Sequence, residues 1–239
     1  MILEEMTTPQ VEEGLKKSKT ILLPFGSIEE HGPHLPLSTD QLTIYEVCRE
    51  AAGRIPVFVA PRIYYGVCRS TNQHPGTISI STGALKHLAQ DIVCSLYTHG
   101  FRNFIMVSGH AGSTHMAALT EAGERILELL PEANVAVLSI IGLITPEFLK
   151  IVETQGDSHA GEVETSLVMH LRPDWVRGTA AREFPRFPLP ILVRDKRKWW
   201  PGGVWGDPGK AGADKGEKMF SLLVDELVRL VGRIESHTE

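Results

Sequence analysis

The stretch ILLPFGSIEEHGPHLPLSTD, residues 21–40, joins a short apolar run to a polar segment. The apolar run at residues 21–25 predicts a buried β-strand. The polar segment holds two glutamates, two histidines and an aspartate, all of them residue types that bind metal ions. Such a composition is typical of a solvated surface loop. It also fits a metal site at the carboxyl end of a strand, where parallel sheets bind their ligands.

A second strand end lies in FIMVSGHAGSTH, residues 104–115. Residues 104–107 predict a strand, and His110 follows at a turn between Gly109 and Gly112. The glycines allow a close backbone approach, and the start of the next helix adds positive potential. His110 could bind a metal ion here, although a turn histidine in a glycine-rich loop would have the same pattern. His115 is a weaker candidate, since it lies five residues further along on a different face.

The rest of the chain alternates strand patterns with helical ones. Strands are predicted at residues 56–61 and 135–141, helices at residues 42–52, 82–99, 116–130, 146–154, 161–170 and 213–234, and a long loop at residues 184–212. This alternation predicts an α/β fold with three α/β/α layers, a mainly parallel central sheet and a single domain over residues 1–239. The two polar motifs are then expected at the same edge of the sheet.

The overall composition argues against several classes of function. The formal net charge of −5 gives no electrostatic reason to expect nucleic acid or an anionic membrane as a partner. No apolar run reaches the roughly 18–20 residues that cross a bilayer, and the N-terminus has no signal-peptide pattern. The scattered Cys48, Cys68 and Cys94 predict free thiols in a cytoplasmic protein. We expect them to pack in the core, because no two have metal-ligand spacing.

The spacing within the first motif suits a metal site. Glu29 and His31 are two residues apart, so in an extended segment both side chains point to the same side. Gly32 allows a sharp bend that could return Asp40 to the same place, and the two oxygens of Asp40 could bridge two ions. The alternative is that Glu29 and Glu30 are solvated and that His31 is a loop histidine.

A third cluster is DSHAGEVETS, residues 157–166. If the helix begins near residue 161, His159 lies just before its first turn, and Glu162, three residues later, could share its face. Glu164 would lie partly round the helix. The acidic residues could instead simply favour the helix N-terminus, with Asp157 near the cap.

Taken together, the three clusters suggest a hydrolytic site with two divalent metal ions. A pair of ions lowers the pKa of a bound water and polarises a carbonyl group, while a nearby His or Glu moves protons. Nitrogen and oxygen ligands fit Zn²⁺ and Mn²⁺, and Fe²⁺ is a further candidate.

Several motifs resemble those of the creatininase (creatinine amidohydrolase) family. They occur in the family's order between about residues 20 and 220 and are Gly-Ser-x-Glu-x-His-Gly-Pro-His-Leu-Pro-Leu-x-x-Asp (26–40), Pro-Gly-Thr (75–77), Ser-Gly-His-Ala-Gly (108–112), His-Ala-Gly-Glu-x-Glu-Thr-Ser (159–166) and Gly-Asp-Pro (206–208). The resemblance implies an α/β/α fold, a two-metal hydrolytic site and homo-oligomers, often hexamers.

The resemblance also implies roles for individual residues. Glu29, His31, Asp40 and His110 look like metal ligands, with Asp40 bridging, and His159 resembles the family's catalytic histidine. Creatininase itself has a further glutamate ligand two residues after the central histidine, where this chain has Gly112. We expect Glu162 to replace it as a ligand and as part of the catalytic machinery, while Glu164 stays an alternative.

The departures from the family pattern bear on the substrate. Creatininase encloses creatinine with tryptophans, one of them shortly before the catalytic histidine, whereas residues 156–158 here are Gly-Asp-Ser. We therefore expect hydrolysis of another C–N bond, in a cyclic amide or formamide-type small molecule. The alternatives are hydrolysis of a carbocyclic ketone of the keto-inositol type, or metal binding without catalysis. Trp199, Trp200 and Trp205 could cover the pocket or form an oligomer interface, and the basic run 194–198 could meet a phosphate or be solvated.

Overall fold

The computed structural model describes residues 1–237 and contains, within them, one parallel sheet of four strands. The strands are β1 (Thr20–Phe25), β2 (Phe58–Val59), β3 (Asn103–Ser108) and β4 (Asn134–Ser139), in the spatial order β2-β1-β3-β4. The central pair is in register along its whole length, from Thr20 opposite Asn103 to Phe25 opposite Ser108. The predicted parallel sheet is thus confirmed.

Helices cover both faces of this sheet, as the sequence predicted. In chain order they are α1 (Thr8–Leu15), α2 (Thr39–Arg54), α3 (Thr82–Thr98), α4 (Ser113–Leu129), α5 (Pro146–Leu149), α6 (Glu162–Leu171), α7 (Lys196–Trp199) and α8 (Ala213–Glu235), with 3₁₀ turns at Leu3–Glu5, Ile140–Leu143, Pro173–Trp175 and Pro208–Lys210. None of the helices in residues 1–237 is both long and apolar enough to cross a membrane.

Strand residues alternate between two apolar layers, because successive side chains point to opposite faces of a sheet. Leu22 and Ile105 pack in a buried cluster with side chains of α2 and α8. Ile21, Leu23 and Phe104 pack in a second cluster with side chains of α3 and α4. Both faces of the central strands are therefore buried, which explains why their sequences are continuous apolar runs.

The strand predicted at residues 135–141 ends at Ser139, and two other predicted elements are markedly shorter in the structure. The strand predicted at residues 56–61 narrows to Phe58–Val59, since the flanking Pro56 and Pro61 have no N–H to donate. The helix predicted at residues 146–154 ends at Leu149, because the N–H groups of residues 153 and 154 donate to a side chain, the Glu162 carboxylate. The predicted loop at residues 184–212 contains the short helix α7 and a 3₁₀ turn.

The polar motifs meet at one edge of the sheet, as expected. The N–H of Gly109, just after β3, donates to the carbonyl of Phe25 at the end of β1, at 2.9 Å. A Cβ atom on Gly109 would lie only 2.1 Å from the backbone oxygen of Asp40, so glycine is required for this approach. Asp40 lies in the first turn of α2. The carboxyl ends of β1 and β3 thereby place the first two motifs beside each other.

Candidate metal centre and active site

The first group of potential ligands is formed by Glu29, His110 and Asp40. The Nδ1 atom of His110 lies 2.7 Å from Glu29 Oε2 and 3.2 Å from Asp40 Oδ2. All three side chains are buried. One imidazole nitrogen and two carboxylate oxygens thus converge on a single point.

The second group shares Asp40 and adds His31 and Glu164. The Nε2 atom of His31 lies 3.2 Å from Asp40 Oδ1 and 3.7 Å from Glu164 Oε2. His31, His159 and Glu164 also bring one ligand atom each within 4.8 Å of one another. The two oxygens of Asp40 therefore face two different ligand groups, Oδ1 toward His31 and Oδ2 toward His110.

Backbone carbonyl groups orient both imidazoles. His31 Nδ1 lies 3.0 Å from the carbonyl oxygen of Glu29, and His110 Nε2 lies 3.2 Å from that of Val67. A carbonyl oxygen only accepts, so these nitrogens carry the donated hydrogen. The other nitrogen of each ring faces the carboxylates, to which it donates when the ring is protonated and beside which it would offer its lone pair to a metal ion that replaces this proton.

Hydroxyl and amide groups hold the carboxylates. Ser27 Oγ donates to Asp40 Oδ2 at 2.6 Å, and Thr71 Oγ1 donates to Glu29 Oε1. The N–H of Ala160 donates to Glu164 Oε2. Each bond fixes one oxygen of a carboxylate and so limits the directions in which the other oxygen can bind.

The electrostatics of this centre favour a cation. Burial alone would lower the pKa of His31, but Asp40 and Glu164 outweigh it and raise this pKa to about 10. Burial alone would raise the pKa of Glu29, but His110 outweighs it and lowers this pKa to about 2. Buried carboxylates that stay ionised need a compensating positive charge, which the protonated histidines supply here and a divalent ion would supply when bound. The nitrogen and oxygen donors fit divalent ions such as Zn²⁺ and Mn²⁺.

His159 lies against the second group. Its backbone pairs with that of Trp205, whose N–H donates to the His159 carbonyl at 2.7 Å. Its Nε2 atom lies 2.8 Å from the carbonyl oxygen of Glu30, and its ring centroid is 4.3 Å from that of His31. Burial and His31 lower the pKa of His159, whereas the neighbouring glutamates raise it, and the net shift is upward.

The structure corrects the prediction for Glu162. Its buried carboxylate accepts hydrogen bonds from the N–H of Glu153 and of Thr154, the latter at 2.7 Å. It also pairs with Lys215 Nζ at 2.6 Å. Glu162 therefore joins the loop before α6 to α8, on the other side of the helix from the ligand groups, and Glu164 occupies the position that was expected for Glu162.

The other polar residues of the motifs have supporting contacts. Both ring nitrogens of His115 are engaged, since Nδ1 accepts from the N–H of Val67 and Nε2 lies 3.0 Å from Ser108 Oγ. His34 Nε2 contacts Thr165 Oγ1 at 2.9 Å. Asp157 caps α6, because its carboxylate accepts from the N–H groups of residues 162 and 163.

Cys68 is buried, as expected, but it lies beside the first ligand group and not in an apolar cluster of the described residues. One ligand atom each of Glu29, Cys68 and His110 lies within 4.8 Å of the others. Burial, together with the charges of Glu29 and Asp40, raises the pKa of the Cys68 thiol. No spacing rule could have found this residue, because the segment around it reaches the site only through the tertiary fold.

A pocket of about 460 Å³ opens onto both ligand groups. Trp200 and Trp205 line it, with ring centroids 5.8 Å apart. Trp200 is 4% exposed, lies 5.2 Å from the His159 ring and donates through Nε1 to the carbonyl of Val204. These two tryptophans thus form a wall of the pocket, while Trp199 is exposed.

Apolar side chains surround the mouth of this pocket. Leu189, Ile191 and Leu192 line it and are 78%, 68% and 90% exposed. Lys196, from the basic run, lines it too, and its Nζ donates to the carbonyl of Arg69. The pocket therefore combines a polar, acidic interior with a wide apolar rim.

Comparison with known proteins places this fold and site in a class of hydrolases. A family model described as "Creatininase: Creatinine amidohydrolase" matches residues 4–231. The chain belongs to the creatininase family.

Three relatives illustrate the range of this family. The chain is 34% identical to a mycofactocin precursor peptide peptidase of Mycobacterium tuberculosis, over 90% of this chain and 86% of the relative. It is 27% identical to a creatinine amidohydrolase of Pseudomonas putida, over 92% of each chain. It is also 27% identical to a 3-dehydro-scyllo-inosose hydrolase of Thermotoga maritima, over 95% of this chain and 81% of the relative.

Solved structures agree with the observed fold. A crystal structure of creatininase superposes with a TM-score of 0.90 at 26% identity, covering 99% of this chain and 98% of that one. A zinc–zinc form of a creatininase variant and a manganese form of creatininase each superpose with a TM-score of 0.87, at 26% and 25% identity, over 97% of both chains. The three-layer architecture is thus that of creatininases.

Proposed function

We propose that this protein is an amidohydrolase that uses two divalent metal ions per chain. The observation that carries the proposal is the position of Asp40, whose two oxygens face two separate groups of metal-binding side chains. Glu29 and His110 would hold one ion, His31 and Glu164 the other, and Asp40 both. Zinc, manganese or a mixture fits these donors and the metals of the solved relatives, and iron is a further candidate.

Such a pair of ions, when bound, supplies Lewis acidity at a carbonyl group and a water of lowered pKa. The chain itself supplies the proton carrier. Since Nε2 of His159 donates to the carbonyl of Glu30, its Nδ1 is the ring atom that is left to accept a proton. From there the proton can be delivered to the nitrogen that leaves when a C–N bond breaks. Trp200 packs against this ring and keeps it in place.

For the substrate, we propose the amide C–N bond of a small molecule, with a cyclic amide or a formamide as the simplest case. A short peptide is the second candidate. The exposed Leu189, Ile191 and Leu192 support it, because an apolar rim can bind substrate groups beyond the cleaved bond. The relative named as a peptidase supports it too. A polyhydroxylated keto-inositol would make fewer favourable contacts with an apolar rim. A non-catalytic role does not account for the position of His159 beside the second ligand group.

The first test measures metal content per chain, after purification without chelator, for the wild type, Asp40→Ala and the surface control Asp91→Asn. We expect about two divalent ions in the wild type and the control, and a large loss in Asp40→Ala. A wild type that binds no divalent ion when zinc, manganese and iron are offered would refute the proposal.

A matched substrate screen then separates the substrate classes. Cyclic amides, formamides and short peptides with apolar residues would be compared for the wild type and for Leu192→Ser. We expect the substitution to weaken turnover of apolar peptides and to leave formamide turnover unchanged. Equal effects on both would argue against a role of the rim.

We also propose that the protein is a cytoplasmic homo-oligomer, and light scattering would measure the number of chains in it.

A further inference from the structure

Two cysteines are fully buried in this protein, yet they have different surroundings. Cys48, in α2, belongs to the apolar cluster that packs between the sheet and α8. Cys68 is equally buried, but within residues 1–237 it belongs to none of the apolar clusters. Its sulfur instead lies near a carboxylate oxygen of Glu29 and a ring nitrogen of His110. A buried thiol that faces polar, metal-binding atoms has a different role from one that fills the core.

The segment that carries Cys68 also orients the first ligand group. The carbonyl of the preceding residue, Val67, accepts the hydrogen bond from His110 Nε2 at 3.2 Å. The N–H of Cys68 donates to Ser79 Oγ at 2.9 Å, and that of Val67 donates to His115 Nδ1 at 3.2 Å. Two successive N–H groups thus fix the backbone at this point. The sulfur is held in position by the segment that orients the His110 ring.

We propose that Cys68 Sγ is an additional ligand of the ion held by Glu29 and His110. This inference rests on the proposed function, since it concerns the same metal centre. On binding, the thiol S–H bond breaks, a sulfur–metal bond forms, and the proton is released to solvent. The positive charge of the ion offsets the nearby carboxylates that otherwise disfavour a thiolate.

Sulfur ligation makes the two subsites chemically unequal. Thiolate is a soft ligand that favours zinc and cobalt over manganese and magnesium. The subsite of His31, Asp40 and Glu164 offers only nitrogen and oxygen atoms, which also suit manganese. We therefore expect zinc to be selected at the subsite with Cys68, and a mixed zinc–manganese centre when both metals are supplied.

The test replaces the metals of the full-length protein with Co²⁺ and records its absorption spectrum. A sulfur ligand gives a sulfur-to-cobalt charge-transfer band in the near ultraviolet. We expect this band in the wild type and in the core control Cys48→Ala, and its loss in Cys68→Ser with two Co²⁺ ions still bound. When zinc and manganese compete for the protein, the preference for zinc should be at least about tenfold smaller in Cys68→Ser than in the wild type.

X-ray absorption at the zinc edge of the wild type keeps the proposal testable if Cys68→Ser fails to fold. One sulfur neighbour at one of the two zinc ions would support it. Two bound ions with only nitrogen and oxygen neighbours would overturn it and leave the amidohydrolase proposal intact. A protein that binds no ion would overturn both.

Discussion

Glu162 and Glu164 are two residues apart in the first turn of α6, but their carboxylates have different partners. Glu162 accepts from two backbone N–H groups and pairs with Lys215 of α8. Glu164 accepts from the N–H of Ala160 and lies 3.7 Å from His31 in the second ligand group. One carboxylate supports the packing of the helix, and the other faces the pocket.

The backbone before α6 explains this difference. Residues two apart on an α-helix point in nearly opposite directions, so only one of the two glutamates can face the ligand groups. The helix begins at Glu162, and Ala160 has a φ of +49°, in the left-handed region. His159 therefore lies outside the helix, and the rule that residues three apart share a helical face does not apply to His159 and Glu162.

The largest expected effect belongs to Glu164→Gln. We expect this variant to bind one ion instead of two, and its hydrolytic activity to fall by more than about 100-fold. Mutation of residues that only hydrogen-bond to metal ligands already lowers metal affinity or activity by about 10–100-fold. Metal content and turnover would be measured beside Glu162→Gln, which should keep both ions. If Glu162→Gln lost an ion and Glu164→Gln kept both, the assignment of the two carboxylates would be reversed.

Gly112→Ala should have the next largest effect. A Cβ atom at this position would lie 2.6 Å from His110 Nε2 and would displace the ring from the carbonyl of Val67. We expect about a tenfold loss of affinity for one ion, measured by competition with a chelator. Gly53→Ala is the control, because its Cβ meets nothing within 4 Å. Unchanged affinity in Gly112→Ala would mean that the orientation of His110 does not control binding.

Glu162→Gln should lower stability rather than metal content. It removes a charged acceptor of two backbone N–H groups, of which that of Thr154 is buried, and the partner of Lys215, so we expect a loss of about 1–3 kcal/mol in the free energy of unfolding at pH 7. Urea denaturation of the metal-free proteins would measure it, with the exposed pair variant Glu128→Gln as the control. A change below that of Glu128→Gln would contradict the packing role.

The effect of Glu162→Gln on stability should depend on pH. Burial alone would raise the pKa of Glu162, but Lys215 and the backbone N–H groups outweigh it and lower this pKa below its usual value of 4.5. A carboxylate whose pKa is lower in the folded than in the unfolded protein stabilises the fold. This stabilisation is complete at a pH above the pKa of the unfolded state, and it is lost as the pH falls through the pKa of the folded state. The stability difference between wild type and Glu162→Gln should therefore shrink below about pH 4.5. A constant difference from pH 7 to pH 3 would exclude this ionic contribution.

The smallest expected effect is that of Ala160→Gly. A left-handed conformation costs a non-glycine residue about 1–2 kcal/mol, and Ala160→Gly removes this cost. Two effects oppose the gain: glycine has a larger unfolded-state entropy, and the variant loses a fully buried methyl group worth about 0.8 kcal/mol. We expect the free energy of unfolding to change by less than about 1 kcal/mol, with unchanged metal content. A calorimetric melting curve would measure the change, and a larger destabilisation would show that the packing of the Ala160 side chain outweighs the strain of its backbone.

The sequence predicts much of this site because strand ends are local features. The apolar runs before residues 26 and 109 fix two neighbouring strands, and their polar continuations necessarily meet at one edge of the sheet. The choice between Glu162 and Glu164 depended on one left-handed residue, Ala160, which the helical pattern does not reveal. The position of Cys68 depends on how its segment lies against His110, a tertiary contact between residues far apart in the sequence.

Anomalous X-ray diffraction from crystals of the protein, recorded at the zinc, manganese and iron absorption edges, would test the proposed two-metal site most directly. We expect two peaks per chain, about 3.5–4 Å apart, on either side of the Asp40 carboxylate. One peak should contact Glu29 and His110, and the other should contact His31 and Glu164. A single peak, no peak after the metals are supplied, or a second peak beside Glu162 would contradict it.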